Sequence, residues 1–165
     1  MDWLFLAASA LILVFGFVVL FGAPYLPTLK KQVEAGLDLL DLEPGETLLE
    51  LGCGDGRVLK AAARRNLKAV GYELNPLLAL VARLYTWPQR KHIRVIWGNY
   101  WQADWPPAQG IFVFLLDKYM LKLDKKIAQD YSKPVKLVSH AFEIPNRQPD
   151  KQRAGFYRYD YRLSA

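Results

Sequence analysis

Residues 48–57 read Leu-Leu-Glu-Leu-Gly-Cys-Gly-Asp-Gly-Arg, and this stretch decides the fold. An apolar run typical of a β-strand leads directly into a turn with glycine at every second position, at Gly52, Gly54 and Gly56. Glycine adopts left-handed backbone conformations without steric cost and lets a ligand approach the main chain closely. A helical pattern begins at Arg57, so the free N–H groups of its first turn lie beside the glycines. The stretch therefore predicts a strand, a ligand-binding turn and a helix.

The spacing of these glycines sets the turn apart from the dinucleotide-binding fingerprint. That fingerprint is G-x-G-x-x-G and places its glycines against a pyrophosphate, whereas this chain has G-x-G-x-G followed by Arg57. Glu50, just before the turn, would repel a phosphate and could hold an ammonium group. The small size of Cys53 explains its place within the turn. The pattern favours a cofactor with a cationic amino acid end.

Short apolar runs and helical patterns alternate along the rest of the chain. Strands are predicted over residues 47–51, 69–73, 93–97, 111–116 and 135–139, and helices over 57–65, 76–87 and 120–131, after a first helix that begins near Thr28. Such alternation is typical of an α/β fold, a Rossmann-like and mostly parallel sheet with helices on both faces. Ligands bind such sheets beyond the carboxyl ends of the strands. The alternating residues 156–163 predict a last strand at the edge of the sheet.

Residues suited to a nucleoside follow the next two predicted strands. Glu73 ends the second strand, and a carboxylate there can accept both hydroxyl protons of a ribose. Leu74 comes next and could pack on an adenine. After the third strand, the amide of Asn99 can donate to and accept from an adenine edge, and the ring of Tyr100 can stack. The three strand ends thus converge on one nucleoside, and the alternative is a parallel sheet that binds nothing there.

The composition of the chain excludes several classes of protein. Its 165 residues, 52% hydrophobic and 13% aromatic, are enough for one folded domain and too few for two. One cysteine cannot form an internal disulfide, and with two histidines it cannot provide zinc-ligand spacing, so no metal site is predicted. The net charge is +6, and the whole surplus lies in residues 118–165, which hold 11 Lys and Arg against 5 Asp and Glu. Such a surface suits an anionic membrane, a nucleic acid or an acidic substrate, or is a solvated face.

The chain begins with an apolar segment. Residues 3–23 contain no charged side chain and, at roughly 1.5 Å per residue, can cross the roughly 30 Å hydrocarbon core of a bilayer. We therefore predict a single transmembrane anchor and a proline-containing connector over residues 1–27, followed by one domain over residues 28–165. Lys30 and Lys31 follow the span, so the positive-inside tendency places the domain on the cytoplasmic side. The alternative is a helix buried in the core of the domain.

The glycine turn and the acid after it resemble a known family. Residues 50–56 match the first motif of the class I S-adenosylmethionine-dependent methyltransferases, and Glu73 matches their ribose-binding acid. Residues 24–28, 69–76 and 113–115 extend the resemblance to the small membrane-anchored protein-lysine methyltransferases, which in mitochondria modify the adenine nucleotide translocase and the c-subunit of ATP synthase. The resemblance implies S-adenosylmethionine as cofactor and a membrane-associated protein as substrate.

The region after the fourth predicted strand departs from that family. Asp117-Lys118-Tyr119 stands where a proline is expected near position 117. A lysine acceptor must lose its proton, so the site must desolvate its amine or relay the proton to a carboxylate. Asp117 and Tyr119 stand where the acceptor should lie and are the candidate catalytic residues. The alternative for Asp117 is the N-cap of the helix predicted from Met120. His140 ends the fifth predicted strand and is interpreted as a core or surface residue in preference to a general base.

Other functions stay open at this point. The acceptor could be a small molecule or a lipid in the bilayer, or the chain could be a non-catalytic nucleotide-binding module held at the membrane. RNA methylation is favoured by the basic last third and disfavoured by the predicted anchor, so a nucleic acid partner is not expected. Lys122, Lys125 and Lys126 recur at helical spacing and predict a cationic stripe that could orient the domain on a membrane.

Overall fold

A computed structural model describes residues 3–6, 8–9, 12 and 30–162 of the chain. The described residues before position 30 are helical, and most of the predicted span and the whole connector after it lie outside the described residues. Within the described parts of the chain, no helix is both long and apolar enough to cross a bilayer. The fold that follows is that of residues 30–162.

Residues 30–162 form four α-helices and seven β-strands. The helices are α1 (Lys30–Leu40), α2 (Arg57–Arg64), α3 (Pro76–Thr86) and α4 (Met120–Asp130). The strands are β1 (Thr47–Leu51), β2 (Lys68–Glu73), β3 (Ile93–Trp97), β4 (Gly110–Val113), β5 (Val135–His140), β6 (Lys151–Arg153) and β7 (Phe156–Tyr161). Every strand and helix that the sequence predicts in this range is present.

The seven strands form one sheet in the order β3-β2-β1-β4-β5-β7-β6. Neighbouring strands from β3 to β5 are parallel, and β7 pairs antiparallel with both β5 and β6. The mostly parallel sheet is confirmed. The strand predicted over residues 156–163 is present as β7, but its predicted position at the edge of the sheet is wrong, because β6 pairs with its outer side. β6 is three exposed residues long, too short for an alternating pattern to appear in the sequence.

The strand order reverses at β1, which lies between β2 and β4. The strands that follow β1 in the chain, β2 and β3, lie on one side of it, whereas β4 and β5 lie on its other side. The connections after β1 and β4 therefore diverge, and a crevice opens at the carboxyl ends of these two strands. β4 is shorter than predicted, because its last residue, Val113, pairs with Leu51, the last residue of β1, and with Ser139 of β5. Asp117 therefore follows the strand end by four residues instead of standing at its tip.

Two hydrophobic cores lie on opposite faces of the sheet. Leu48 belongs to the core beneath α1, α2 and α3, whereas Leu49, the next residue of β1, belongs to the core beneath α4. Successive side chains of a strand point to opposite faces, so the two cores have the sheet between them. The helices thus cover both faces, as predicted, and the strand ends are fixed relative to one another.

Candidate active site

The turn after β1 is held to β2 by its backbone. The N–H groups of Gly52 and Cys53 both donate to the carbonyl oxygen of Tyr72, at 2.9 Å each, and Gly56 N–H donates to the Cys53 carbonyl at 2.8 Å. Gly52, Gly54 and Gly56 have φ angles of 87°, 53° and 82°, left-handed values that side chains disfavour. The backbone path of the turn therefore requires the three glycines.

Glu73 joins the end of β2 to this turn. The residue is 8% exposed, and its Oε2 atom accepts a hydrogen bond from Gly54 N–H at 2.8 Å. Its Oε1 atom accepts from Asn75 N–H at 2.8 Å. The Asn75 side chain in turn caps α3 by accepting from the N–H groups of Leu77 and Leu78. The structure thus brings the glycine turn and the acid of the second strand into direct contact.

Glu50 lies near the end of β1 and is 6% exposed. Its Oε2 atom has no hydrogen-bond partner among the residues that the structure describes. Burial raises the pKa of this carboxyl well above its ordinary value of 4.5, and the negative charges of Asp55 and Glu73 raise it further. A buried carboxyl oxygen without a partner is unfavourable unless a ligand supplies a donor. The residue therefore fits a cationic ligand group such as an ammonium.

Gly71 is a residue whose importance the sequence analysis missed. A Cβ atom at this position would lie 2.7 Å from both the Cβ atom of Cys53 and the Cδ1 atom of Leu59. Cys53 and Leu59 can therefore pack on β2 only because residue 71 has no side chain. Cys53 is 3% exposed, and burial raises the pKa of its thiol, so it packs and is not a nucleophile. Glycine inside a strand pattern was the available signal of this close approach.

A hydrogen bond also connects the ends of β2 and β3. Trp97, the last residue of β3, donates its indole N–H to the carbonyl oxygen of Leu74 at 3.1 Å. Leu74 is half-buried, and Trp97 is 60% exposed. The second and third strand ends are thus in contact, as the sequence predicts.

Asn99 and Tyr100 lie shortly after β3, from which Gly98 separates them. The Asn99 side-chain oxygen accepts from Trp101 N–H at 3.0 Å and caps a short 3-10 helix, Tyr100–Gln102. The Tyr100 ring centroid lies 4.9 Å from that of Trp101. Burial raises the pKa of the Tyr100 hydroxyl, and Tyr119 and Glu73 raise it further. The sequence predicts that the Asn99 amide both donates to and accepts from an adenine edge. Its acceptor, the side-chain oxygen, is therefore already bonded to a backbone N–H.

Asp117 and Tyr119 belong to a short 3-10 helix between β4 and α4. Asp117 is exposed, whereas Tyr119 is half-buried with its ring centroid 6.1 Å from that of Trp101. The alternative that Asp117 caps α4 is wrong, because the N-cap position is Tyr119 and no side chain bonds the helix start. The segments after β3 and β4 therefore meet through Trp101 and Tyr119, with Asp117 exposed two residues away.

The lysines of α4 contact the same aromatic segment. Lys122 Nζ lies 4.3 Å from the centroid of the Trp101 ring, and Lys126 Nζ lies 4.7 Å from that of Trp105. Lys126 also forms an ion pair with Asp130 at 2.6 Å. Two of the three lysines of the predicted stripe are thus engaged by the protein itself.

His140 packs between two phenylalanines. Its ring stacks on Phe156 with centroids 4.4 Å apart and meets Phe114 at 4.7 Å. Burial lowers the pKa of the imidazole. Of the two interpretations of His140, a core or a surface residue, the arrangement supports the core residue.

Comparison with known proteins identifies the family to which this chain belongs. Residues 50–151 match the family described as the ANTKMT methyltransferase domain. The chain belongs to the ANTKMT methyltransferase family. The matched segment includes the glycine turn, Glu73, Asn99 and the Asp117–Tyr119 helix, and the resemblance drawn from the sequence is confirmed.

Two relatives of this ANTKMT-family chain are named as lysine methyltransferases. The human lysine N-methyltransferase named for the c-subunit of ATP synthase is 30% identical over 129 residues, 77% of this chain and 55% of the human protein. The protein-lysine N-methyltransferase of Saccharolobus islandicus is 30% identical over 130 residues, 76% of this chain and 81% of that protein. The chain thus spans little more than half the length of the human relative.

A solved structure with the same fold contains a ligand. The crystal structure of an RNA methyltransferase from Salinibacter ruber, in complex with S-adenosyl-L-homocysteine, superimposes with a TM-score of 0.79 at 28% identity. The match covers 85% of this ANTKMT-family chain and 96% of the Salinibacter chain. The Rossmann-like methyltransferase fold that the sequence predicts is therefore confirmed.

Proposed function

We propose that this protein is an S-adenosylmethionine-dependent protein-lysine N-methyltransferase that acts on a membrane-associated protein. The observation that carries the proposal is the hydrogen bond from the glycine turn, at Gly54, to Glu73, next to a buried Glu50 oxygen without a partner among the described residues. Membership of the ANTKMT family supports it, as does the activity named for the Saccharolobus relative.

The ends of β1 and β2 fit the methionine and ribose parts of S-adenosylmethionine. Glu50 would hold the ammonium group, which gives its unpartnered oxygen a charge-assisted hydrogen bond. The main chain of residues 52–56 would line the methionine part. Glu73 would accept the ribose hydroxyls, because an ionised carboxylate has about four acceptor sites and backbone N–H groups use two of them here.

The ends of β2 and β3 fit the adenine. Leu74 would pack on the base, and the ring of Tyr100 would stack against it. Asn99 would donate from its side-chain nitrogen to a ring nitrogen of the base, since its oxygen accepts from the backbone of Trp101. The same amide would then fix both the loop and the base.

The ends of β3 and β4 would receive the acceptor lysine. Bound S-adenosylmethionine supplies a methyl group on a positively charged sulfur, open to in-line attack by a neutral amine. The residues of the chain then have two tasks, alignment of the amine and removal of its proton. The rings of Trp101 and Tyr119, 6.1 Å apart, would line the path of the aliphatic lysine side chain, and Asp117 would accept the proton.

The acceptor protein would lie in or beside a membrane. The human relative is named for the c-subunit of ATP synthase, and the family resemblance adds the adenine nucleotide translocase. The uncharged residues 3–23 support a transmembrane anchor over residues 1–27 that holds the methyltransferase domain of residues 28–165 at the bilayer. Lys30 and Lys31 support a cytoplasmic position for this domain.

RNA is the second candidate acceptor. The Salinibacter structure is described as an RNA methyltransferase, and this chain covers 96% of it. The surplus of basic residues in 118–165 also suits a phosphate backbone. The lysine proposal is preferred because the Saccharolobus relative is a protein-lysine methyltransferase of which the chain covers 81%.

A labelling experiment separates these acceptors. The full chain is incubated with S-adenosylmethionine carrying a labelled methyl group and with a membrane extract, which is then divided into protein, lipid and RNA. We expect label in the protein fraction, recovered as methyl-lysine after acid hydrolysis. Label confined to RNA or to lipid would replace the lysine proposal by that acceptor. Cofactor binding without transfer to any fraction would mean a non-catalytic module.

A further inference from the structure

Helix α3 carries its large apolar side chains on the outside. Its inward side consists of small residues, Ala79, Ala82 and Thr86, which are at most 3% exposed. Four large aliphatic residues on the outward side are between 42% and 65% exposed. They are Leu77, Leu80, Val81 and Leu84. Their helical spacing makes one continuous stripe, whereas a surface helix normally turns its apolar stripe towards the core.

Aromatic residues extend this stripe at both ends. Tyr85 and Trp87, at the C-terminal end of α3, are 46% and 60% exposed. Trp97, at the other end, is 60% exposed beside Leu74, to which it is hydrogen-bonded. We call these seven residues the α3 face, which consists of Leu77, Leu80, Val81, Leu84, Tyr85, Trp87 and Trp97. A contiguous apolar surface of this kind marks an interaction site.

The segment that builds the α3 face is basic and has no acidic residue. Residues 74–103 contain no Asp or Glu, and their basic residues are Arg83, Arg90, Lys91 and Arg94. Lys60, from α2, places its Nζ atom 3.8 Å from the centroid of the Tyr85 ring. Arg90 lies 4.9 Å from the centroid of the Trp87 ring. Cations therefore border the aromatic end of the face.

We propose that the α3 face docks on the surface of an anionic bilayer. Leu side chains enter the boundary between headgroups and acyl chains, tryptophan and tyrosine rings lie at headgroup level, and lysine and arginine attract anionic lipids. A second copy of this chain is a poorer occupant, because a symmetric interface would place the same basic border on both sides. The uncharged residues 3–23 precede the domain and would keep it close to the same bilayer.

The docking has a consequence for the strand ends. α3 begins at Pro76, two residues after Leu74, so the α3 face starts beside the carboxyl ends of the parallel strands. Docking would therefore hold those ends near the lipid headgroups. Helix α4 is less suited to this task, because Leu121 is the one exposed large apolar residue within Met120–Asp130 and Lys126 is already paired with Asp130. The inference stands independently of methyl transfer, and its test measures docking alone.

An environment-sensitive label tests the proposal in the full chain. Leu84→Cys, 65% exposed, is labelled with a nitrobenzoxadiazole dye, and the buried Cys53 stays unlabelled because it is 3% exposed. The protein is reconstituted in vesicles of phosphatidylcholine alone or with added phosphatidylglycerol. We expect the dye emission to rise about twofold and shift to the blue only with the anionic lipid, as the probe leaves water. High salt should reverse the change.

Matched variants distinguish docking of the α3 face from mere proximity of the whole domain to the bilayer. Leu121→Cys carries the same dye on an exposed leucine of α4, 47% exposed, and its emission should not change with the anionic lipid. The pair Arg90→Gln and Lys91→Gln should lower the docked fraction about tenfold. Equal changes at positions 84 and 121, or none at either, would overturn the proposal. A blue-shifted probe at position 84 without anionic lipid, together with a doubled molecular mass, would assign the face to a second copy instead.

Discussion

The two halves of the carboxyl edge of the sheet are built by different interactions. At the ends of β1 and β2, the carboxylate of Glu73 accepts hydrogen bonds of 2.8 Å from Gly54 N–H and Asn75 N–H. At the ends of β3 and β4, the rings of Trp101 and Tyr119 lie 6.1 Å apart. Backbone hydrogen bonds to one buried carboxylate fix a single geometry, whereas rings and flexible side chains can repack around different partners. The first half suits a constant ligand, and the second suits a variable acceptor.

The largest expected effect comes from Gly71→Val, which disturbs the first half of the edge, at the ends of β1 and β2. The new side chain would overlap Cys53 and Leu59, each 2.7 Å from its Cβ atom, so the glycine turn must move. We expect the free energy of unfolding to fall by about 1–3 kcal/mol and cofactor binding to be lost. Urea denaturation and calorimetry measure the two effects.

Val70→Ala is the matched control for this substitution. Val70 is the neighbouring residue of β2, packs against the opposite core and is half-buried. The loss of the Val70 methyl groups should lower the free energy of unfolding by about 1 kcal/mol without changing cofactor affinity. Normal cofactor binding by Gly71→Val would mean that the turn does not depend on this contact.

The next largest effect is expected from Glu73→Gln. A glutamine can accept at only one of its two terminal atoms, so either Gly54 N–H or Asn75 N–H faces an amide nitrogen. The acceptor that we propose for the ribose hydroxyls is lost at the same time. We expect the affinity for S-adenosylmethionine to fall about 10- to 100-fold, because hydrogen bonds to charged groups are involved. Glu143→Gln, on the exposed surface, should bind as the parent does, and equal affinities of all three proteins would remove Glu73 from the site.

Glu50→Gln should separate stability from binding. Burial raises the pKa of Glu50 above 4.5, so the folded state holds this proton more tightly than the unfolded state. The contribution of Glu50 to the free energy of unfolding is therefore fully present below about pH 4.5, and it is lost as the pH rises through the raised pKa. The variant should lack this pH dependence and be more stable than the parent near neutral pH. Its affinity for S-adenosylmethionine should nevertheless be about tenfold lower, since the ammonium has lost its anion.

Urea denaturation of the cofactor-free protein at several pH values between about 4 and 8 measures this difference. A variant with the same pH dependence as the parent would show that Glu50 keeps an ordinary pKa. A variant with unchanged cofactor affinity would show that the ammonium group lies elsewhere.

The smallest expected effect comes from a substitution in the second half of the edge, at the ends of β3 and β4. Lys126→Gln removes the contact with Trp105 and the ion pair with Asp130, and the lysine side chain is 18% exposed. We expect the free energy of unfolding to fall by about 0.5–2 kcal/mol while cofactor affinity is kept. Lys125→Gln, on the exposed side of the same helix, should change stability by less than about 0.5 kcal/mol. Equal stability of both variants would mean that the Trp105 contact contributes nothing.

The sequence predicted the fold well wherever a pattern repeats locally. β1 and β3 have the predicted bounds, because their apolar runs are limited by a turn on both sides. β4 was predicted too long, because the apolar run continues to Leu116 although β1 ends at Leu51, the partner of Val113. β6 was missed because its three exposed residues carry no alternating pattern. Where pairing alone defines an element, the sequence pattern does not reveal it.

The candidate site was predictable in its first half and not in its second. The glycine turn and Glu73 are local signals at consecutive strand ends, so their contact follows from the topology. The contact of Lys122 with Trp101 depends on how a loop folds back on α4 and joins segments far apart in the chain. The Asn99 cap is formed within the loop itself. No periodicity in the sequence marks either contact.

The division of the edge into a cofactor half and an acceptor half is tested most directly by Asp117→Asn. The cofactor affinity, from calorimetry, and the methyl transfer rate to an acceptor protein are measured on the same preparation. If Asp117 accepts the lysine proton, the Kd for S-adenosylmethionine stays within about twofold of the parent value while kcat falls about a hundredfold. An unchanged kcat, or a Kd that weakens in parallel with kcat, would contradict the division.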